Sequence, residues 1–138
     1  MSKIRVSVAG ASGRMGRALT RAVCESTDMR LAFALEQEGH PDIGQDAGDL
    51  AGINDAEVVL TDDPLAALAN SDAVLDFTVP AASTALCELS AQARIVHVIG
   101  TTGFSDADLS RLKAAARHAV IVKSGNMSLG VNLLSALV

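Results

Sequence analysis

Three glycines, Gly10, Gly13 and Gly16, stand at the spacing G-x-x-G-x-x-G between a β-branched run and a helical stretch. That pattern and context suit a turn that cradles a dinucleotide pyrophosphate. Gly10 permits the tight turn, Gly13 removes a Cβ where backbone must approach the pyrophosphate, and Gly16 lets the following helix pack closely. The free N–H groups and dipole of that helix favour an anion. A plain Gly-rich strand-to-helix turn is the other reading. Position after the first strand of an alternating chain favours the dinucleotide.

A dinucleotide turn needs an acidic residue at the end of the next strand for the adenosine ribose hydroxyls. Glu36 stands there, 26 residues after Gly10, near the usual ~20. A solvated glutamate at a strand end is the alternative. Glu36 alone favours NADH, because it repels a 2′-phosphate. Gln37 follows it, and Arg14, opening the first helix on the same edge, offsets the repulsion. NADH and NADPH therefore both stay open. Two further turns, Asp76-Phe77-Thr78 and Gly100-Thr101-Thr102-Gly103, end later apolar runs. Ligands of open α/β sheets bind outside the carboxyl ends of the strands. These hydroxyls and backbone groups are thus expected near a nicotinamide ribose or carboxamide. Taken singly, each threonine is explained by turn and capping chemistry.

Other chemistries are poorly supplied. His40 lies in a long loop, His97 reads as a satisfied core residue in an apolar strand, and His118 suits a helix C-terminus. There is no H-E-x-x-H, no C-x-x-C, no carboxylate cluster at metal spacing and no G-x-x-x-x-G-K-[ST]. No metal is expected. Asp46 and Asp49 read as capping or solvating the long loop. Cys24 and Cys87 each sit in an apolar helical pattern and read as buried, reduced thiols.

The elements that must position these residues alternate. Apolar runs at Ile4–Ala9, Arg30–Leu35, Glu57–Leu60, Ala73–Phe77, Ile95–Ile99 and Ala119–Val122 read as strands. Helices are expected over Arg14–Ser26 (with Met15, Leu19, Ala22 and Val23 at helical spacing), Pro64–Ala69, Ala81–Ala93 and from a Ser105 cap to about Arg117. Strands that are apolar throughout and alternate with helices predict a doubly wound, mostly parallel α/β sheet of Rossmann type with helices on both faces. Gln37 to Ala56 shows no periodicity, and loops that long are usually functional or mobile. Val131–Val138 begins an apolar helical run without a C-cap.

Composition narrows the class. The chain has 138 residues, 49% of them hydrophobic, which suffices for the core of one domain. Its net charge of −5, with no Trp or Tyr, argues against nucleic acid as a partner. No run reaches the ~18 apolar residues of a membrane span. With no leader pattern and no disulfide framework, a cytoplasmic location is expected.

The motifs GASGRMG (Gly10–Gly16), LEQEG (Leu35–Gly39), GQDAGDLAG (Gly44–Gly52), DFT (Asp76–Thr78), GTTGF (Gly100–Phe104) and GNMSLGVN (Gly125–Asn132) occur in that order over essentially the whole chain. Together they resemble the 4-hydroxy-tetrahydrodipicolinate reductase (dihydrodipicolinate reductase) family. The resemblance implies NAD(P)H-dependent reduction in the diaminopimelate and lysine pathway by a two-domain homotetramer. It implies a cofactor turn at Gly10, Ala11, Ser12, Gly13, Arg14 and Met15, a ribose acid at Glu36, and nicotinamide-side contacts at Gly100, Thr101 and Thr102. A second nicotinamide-side loop falls on Ser124, Gly125, Asn126 and Met127. Two positions depart from many members: Gln37 replaces an arginine that meets the 2′-phosphate, and Asn126-Met127 replaces Asn-Phe. The family's His-His, Lys and Asp-x-Pro-Ser-Gly-Thr signature does not occur in the chain. The expectation is a dinucleotide-binding domain over residues 1–130, with 131–138 opening a helix toward a substrate and tetramerisation domain that the chain lacks. No catalytic residue is then expected here. The alternative is a stand-alone NAD(H)-sensing module without catalysis.

Overall fold

The computed structural model describes residues 3–123. Six strands form one sheet: β1 (Ile4–Ala9), β2 (Met29–Leu35), β3 (Leu60–Thr61), β4 (Ala73–Asp76), β5 (Val96–Ile99) and β6 (Val120–Lys123). Their order is β3-β2-β1-β4-β5-β6 and every pairing is parallel. The expected Rossmann-type topology is therefore present, with no antiparallel strand in the described sheet. Five helices alternate with the strands: α1 (Arg14–Glu25), α2 (Ala47–Leu50), α3 (Pro64–Ala69), α4 (Pro80–Ala93) and α5 (Asp106–Ala115).

Alternation along each strand builds two core layers, since successive side chains point to opposite faces. Val6, Val8, Leu31, Ala73, Leu75 and Val98 pack with Leu19 and Val23 of α1. On the other face Ala9, Leu35 and Val74 pack with Ala67 and Leu68 of α3 and Leu86 of α4. Beside them Ile99 meets Cys87 of α4 and Leu112 and Ala115 of α5. Both faces are covered, which is why the strands lack a polar side.

The buried stripe of α1 is Gly16, Leu19, Thr20 and Val23, not the expected Met15, Leu19, Ala22 and Val23. Met15 is 44% exposed. Thr20 takes a core position because its hydroxyl donates to the Gly16 carbonyl at 2.8 Å, so no polar atom is left without a partner.

The segment expected as a loop from Gln37 to Ala56 contains α2, and the third strand begins at Leu60 rather than Glu57. Asp46 causes both differences. Its carboxylate accepts the N–H of Asp49 as the cap of α2, and also those of Ala56 and Val58. Glu57 turns through a left-handed φ of 58°. The backbone of 56–58 is thereby tied to Asp46, leaving only Leu60 and Thr61 to pair with β2.

Candidate functional site

The strand order reverses between β1 and β4, so the turns after these strands diverge and leave a crevice between them. A cleft of about 540 Å³ opens there, lined by Gly10, Ser12, Gly13, Glu36, Gln37, Phe77 and Thr78 among others. Pro64, Ala82, Ala85, Leu86 and Leu89 give it an apolar end that no sequence motif marked.

The Gly-rich turn is shaped by close backbone approach. Gly10 has φ +78°, and a Cβ there would lie 2.7 Å from the Phe77 carbonyl oxygen. The N–H groups of Gly10 and Ala11 both donate to the Leu35 carbonyl at 3.0 Å. Gly16 is needed for packing against the turn itself: its Cβ would lie 1.9 Å from the Gly10 carbonyl oxygen. Gly13 is different. A Cβ there would meet only the Gly10 oxygen, at 3.4 Å, an ordinary contact.

Helix termini around the crevice differ from those elsewhere. Asp46, Asp63 and Ser105 cap α2, α3 and α5 through their side chains, and Ser105 forms a capping box with Asp108. The two helices that flank the crevice begin at Gly13 and Val79 with no side-chain cap. Their first-turn N–H groups, of which Pro80 supplies none, therefore have no side-chain cap as acceptor.

Glu36 is half-buried and accepts the Ser12 N–H at 3.0 Å and the Gln37 N–H at 3.1 Å. The carboxylate is thus held beside the Gly-rich turn. A second carboxylate reaches the same residue: the Ser12 hydroxyl donates to Asp42. Arg17 donates to the Ser12 carbonyl at 2.8 Å and lies 3.7 Å from Asp42. Asp42 belongs to the aperiodic segment, where nothing in the sequence marked it.

Arg14 and Met15 do not line the cleft. Arg14 instead lines a separate groove on the outside of α1, with Arg17 and Arg21. Ala11 is buried beneath the turn. Gly100 and Thr101 are buried at the end of β5, while Thr102 is exposed. Thr101 and Thr102 line a second cleft of about 410 Å³ with Ile99, Gly103, Phe104 and Lys123. The Lys123 ammonium sits 5.5 Å from the centre of the Phe104 ring. Ser124, Gly125, Asn126 and Met127, and the apolar run 131–138, lie outside the described residues.

A chain of buried polar groups runs behind the two clefts. His97 is fully buried, as expected of a satisfied core residue, with Nε2 at 2.8 Å from Asp76 and Nδ1 at 3.2 Å from Ser90. Asp76 also accepts the hydroxyl and N–H of Thr78, at 2.6 and 3.1 Å. Ser83 bonds Thr101 at 2.7 Å. Nothing in the sequence marks the pairing of Asp76 with His97, which follows from the register of β4 and β5.

Two further sequence expectations fail. Cys24 is exposed, because it lies off the buried stripe of α1; Cys87 is buried as expected. Burial pushes the Cys87 thiol up to about 11, with the charges of Asp76 and Glu88 adding to it. Carboxylates do gather: oxygens of Asp46, Asp49 and Asp55 lie within 4.8 Å of one another. Backbone folding explains that group, since Asp46 already accepts three N–H donors. Burial acts to raise the Asp46 carboxyl, but the bonds from Ala56, Asp49, Asp55 and Val58 together hold it below the usual range. No helix among the described residues is long and apolar enough to cross a membrane.

Residues 4–127 match the family model described as dihydrodipicolinate reductase, N-terminus. The chain is 56% identical over its full length to a 4-hydroxy-tetrahydrodipicolinate reductase of Beijerinckia indica, covering 51% of that protein. It is 58% identical over its full length to one from Methylocella silvestris, again covering 51%. The chain spans about half the length of the curated relatives it matches. Among solved structures, a dipicolinate-bound dihydrodipicolinate reductase from Paenisporosarcina is 25% identical with a TM-score of 0.73, over 96% of this chain and 51% of that one. A biliverdin reductase from Synechocystis, solved with biliverdin and NADP+, shares the fold at 16% identity and a TM-score of 0.70, over 89% of this chain and 38% of that one.

Proposed function

The chain belongs to the dihydrodipicolinate reductase family, matching its N-terminal part, and from that premise we propose that it is the half of the enzyme that binds NADH or NADPH. The whole protein then reduces a dihydrodipicolinate-type heterocycle on the route to diaminopimelate and lysine. The observation that carries this reading is the uncapped start of α1 at Gly13, opening on a cleft beside Glu36. Among the described residues, nothing crowds a side chain at that position. An external anion drawn close to the backbone does.

In this reading the first-turn N–H groups of α1 and the helix dipole hold the pyrophosphate. Glu36, oriented by the Ser12 N–H, accepts the adenosine ribose hydroxyls. The apolar end formed by Pro64, Ala82, Ala85, Leu86 and Leu89 takes the adenine. Phe77, Thr78, Gly100, Thr101 and Thr102 face the nicotinamide half, joined by Ser124 to Met127. When bound, the dihydronicotinamide supplies the hydride. The chain's own contribution is binding, orientation and exclusion of water.

Residues 1–130 form the dinucleotide-binding domain in this proposal, and 131–138 lead toward sequence outside the chain. Proton donation, binding of the small-molecule substrate and assembly into a homotetramer belong to that further sequence. A cytoplasmic location completes the picture. A sensing module without catalysis is not favoured, since the relatives named above are reductases.

Calorimetric titration of the chain with NADH and with NADPH tests the proposal. Saturable binding of at least one is expected, weakened at least tenfold in Glu36→Ala. Absence of binding to both cofactors would overturn it.

A further inference from the structure

The hydroxyl network behind the clefts has a polarity that its geometry sets. The Asp76 carboxylate accepts on both oxygens: Oδ1 takes the hydroxyl and N–H of Thr78, and Oδ2 takes Nε2–H of His97. His97 Nδ1 is then left to accept from Ser90. Thr78 has given its proton to Asp76 at 2.6 Å, so it cannot donate to Ser83. Ser83 Oγ lies 3.2 Å from Thr78 Oγ1 but 2.7 Å from Thr101 Oγ1, and the shorter contact takes the Ser83 proton. The Thr78 N–H also points at Thr101 Oγ1, at 3.1 Å.

Thr101 Oγ1 therefore receives two protein donors. A hydroxyl has two acceptor sites and one proton to give. Both acceptor sites are filled, so the Thr101 proton is left for an acceptor outside the network. Asp76, Ser83, Ser90 and His97 are fully buried, so water does not compete for their bonds. Thr101, 7% exposed, is where the network reaches the second cleft.

We infer that Ser83, backed by Asp76 and His97, is a positioning residue that makes Thr101 a fixed hydrogen-bond donor toward an amide carbonyl, the carboxamide of the nicotinamide. This rests on the cofactor reading above and adds to it the residues that set the direction of one contact. Ser83 lies on α4 and makes no contact with the cofactor in this reading. It acts through Thr101 alone.

The test compares two ligands on the 138-residue chain: NADH, which carries the carboxamide, and ADP-ribose, which lacks it. Ser83→Ala is expected to weaken NADH about fivefold to tenfold, the worth of one neutral hydrogen bond, and to leave ADP-ribose within about twofold. Thr101→Val should reproduce that split. In a Thr101→Val background, Ser83→Ala should add nothing further, because the two act on one contact. Equal weakening of both ligands in Ser83→Ala marks a merely structural role and overturns the inference. Unchanged NADH affinity, or fully additive losses in the double variant, also overturns it. Should Ser83→Ala fail to fold, Thr101→Val carries the ligand comparison alone, and equal loss of both ligands there is equally decisive. A wild-type chain that binds ADP-ribose and NADH with the same affinity sinks this inference but leaves the cofactor reading standing. Binding of neither ligand sinks both.

Discussion

The carbonyl oxygen of Gly10 occupies the space a side chain on Gly16 would need: an ideal Cβ at Gly16 would lie 1.9 Å from it. The turn and the helix that follows it are thus locked by backbone contact alone. Gly10 is itself held by its N–H bond to Leu35, with the Phe77 carbonyl against its open side. Alanine in place of glycine inside a helix ordinarily gains up to about 1 kcal/mol. Overpacking against rigid backbone costs about 1–3 kcal/mol or more. Gly16→Ala is therefore expected to lose stability by about 2 kcal/mol net. A lower urea midpoint at unchanged slope would show it; a variant as stable as the wild type would contradict the packing argument.

Gly13 offers the opposite case. Its φ of −73° suits any residue, and an added Cβ meets nothing closer than 3.4 Å. Gly13→Ala should fold with a melting temperature within about 2 °C of the wild type, since surface changes of this kind stay within about 0.5 kcal/mol. Gly13 lines the cleft where the pyrophosphate is assigned, so the added methyl group takes up room there. NADH and ADP-ribose should both weaken, by at least tenfold. Normal stability with normal binding would remove the pyrophosphate from this turn.

Asp46 carries the fold of the segment between β2 and β3. Asp46→Ala removes the α2 cap and leaves the N–H groups of Ala56 and Val58 without their acceptor, an expected loss of about 1–3 kcal/mol. The acid dependence follows from the carboxyl standing below its ordinary value of 3.8 in the folded protein. A depressed carboxyl contributes stability that is complete above the unfolded value and disappears as pH falls through the folded one. The stability difference between the wild type and Asp46→Asn should be constant above about pH 5 and shrink below about pH 4. Urea titrations between pH 3 and 7 measure it. A pH-independent difference would mean that the charge on Asp46 contributes nothing.

Much of this was readable from residue order, and the exceptions share a cause. The run Ile4–Ala9, the Gly-rich turn and α1 are local: β-branched residues, glycine spacing and helical period each speak within a dozen positions. The parallel sheet follows from their alternation. Asp46 acts on backbone groups 3, 10 and 12 residues away, which leaves no period, so α2 and the true start of β3 were hidden. Ser83, Thr84 and Ser90 are buried on α4, and their hydroxyls disguise a core face as a polar one. Met15, Ala22 and Cys24 were misplaced for the complementary reason, since Gly16 and Thr20 fill the stripe that an apolar count would give to larger residues. Asp42 was unreadable because its partners, Ser12 and Arg17, belong to another element.

That placement of Asp42 leads to a prediction about cofactor preference. Glu36 and Asp42 both bond to Ser12, one through its N–H and one through its hydroxyl. Asp42 also stands 3.7 Å from the Arg17 guanidinium, so it holds a cation close behind the Gly-rich turn. Arg14, invoked to offset Glu36, lines a different groove. Glu36, Glu38 and Asp62 line the cleft and Asp42 stands behind Ser12, and this acidic edge should make the chain prefer NADH. Asp42→Asn removes one charge while keeping an acceptor for Ser12, and it frees Arg17. At an effective dielectric constant near 20, one like charge several ångströms away is worth about 1 kcal/mol or more, roughly fivefold in affinity. The ratio of NADPH to NADH dissociation constants should therefore fall at least fivefold in this variant, mostly through tighter NADPH. Raising salt should shrink the wild-type preference, because the charges are only partly buried. A ratio unchanged by Asp42→Asn would leave the carboxylates that line the cleft as the acidic determinants and return Asp42 to the role of a loop tether.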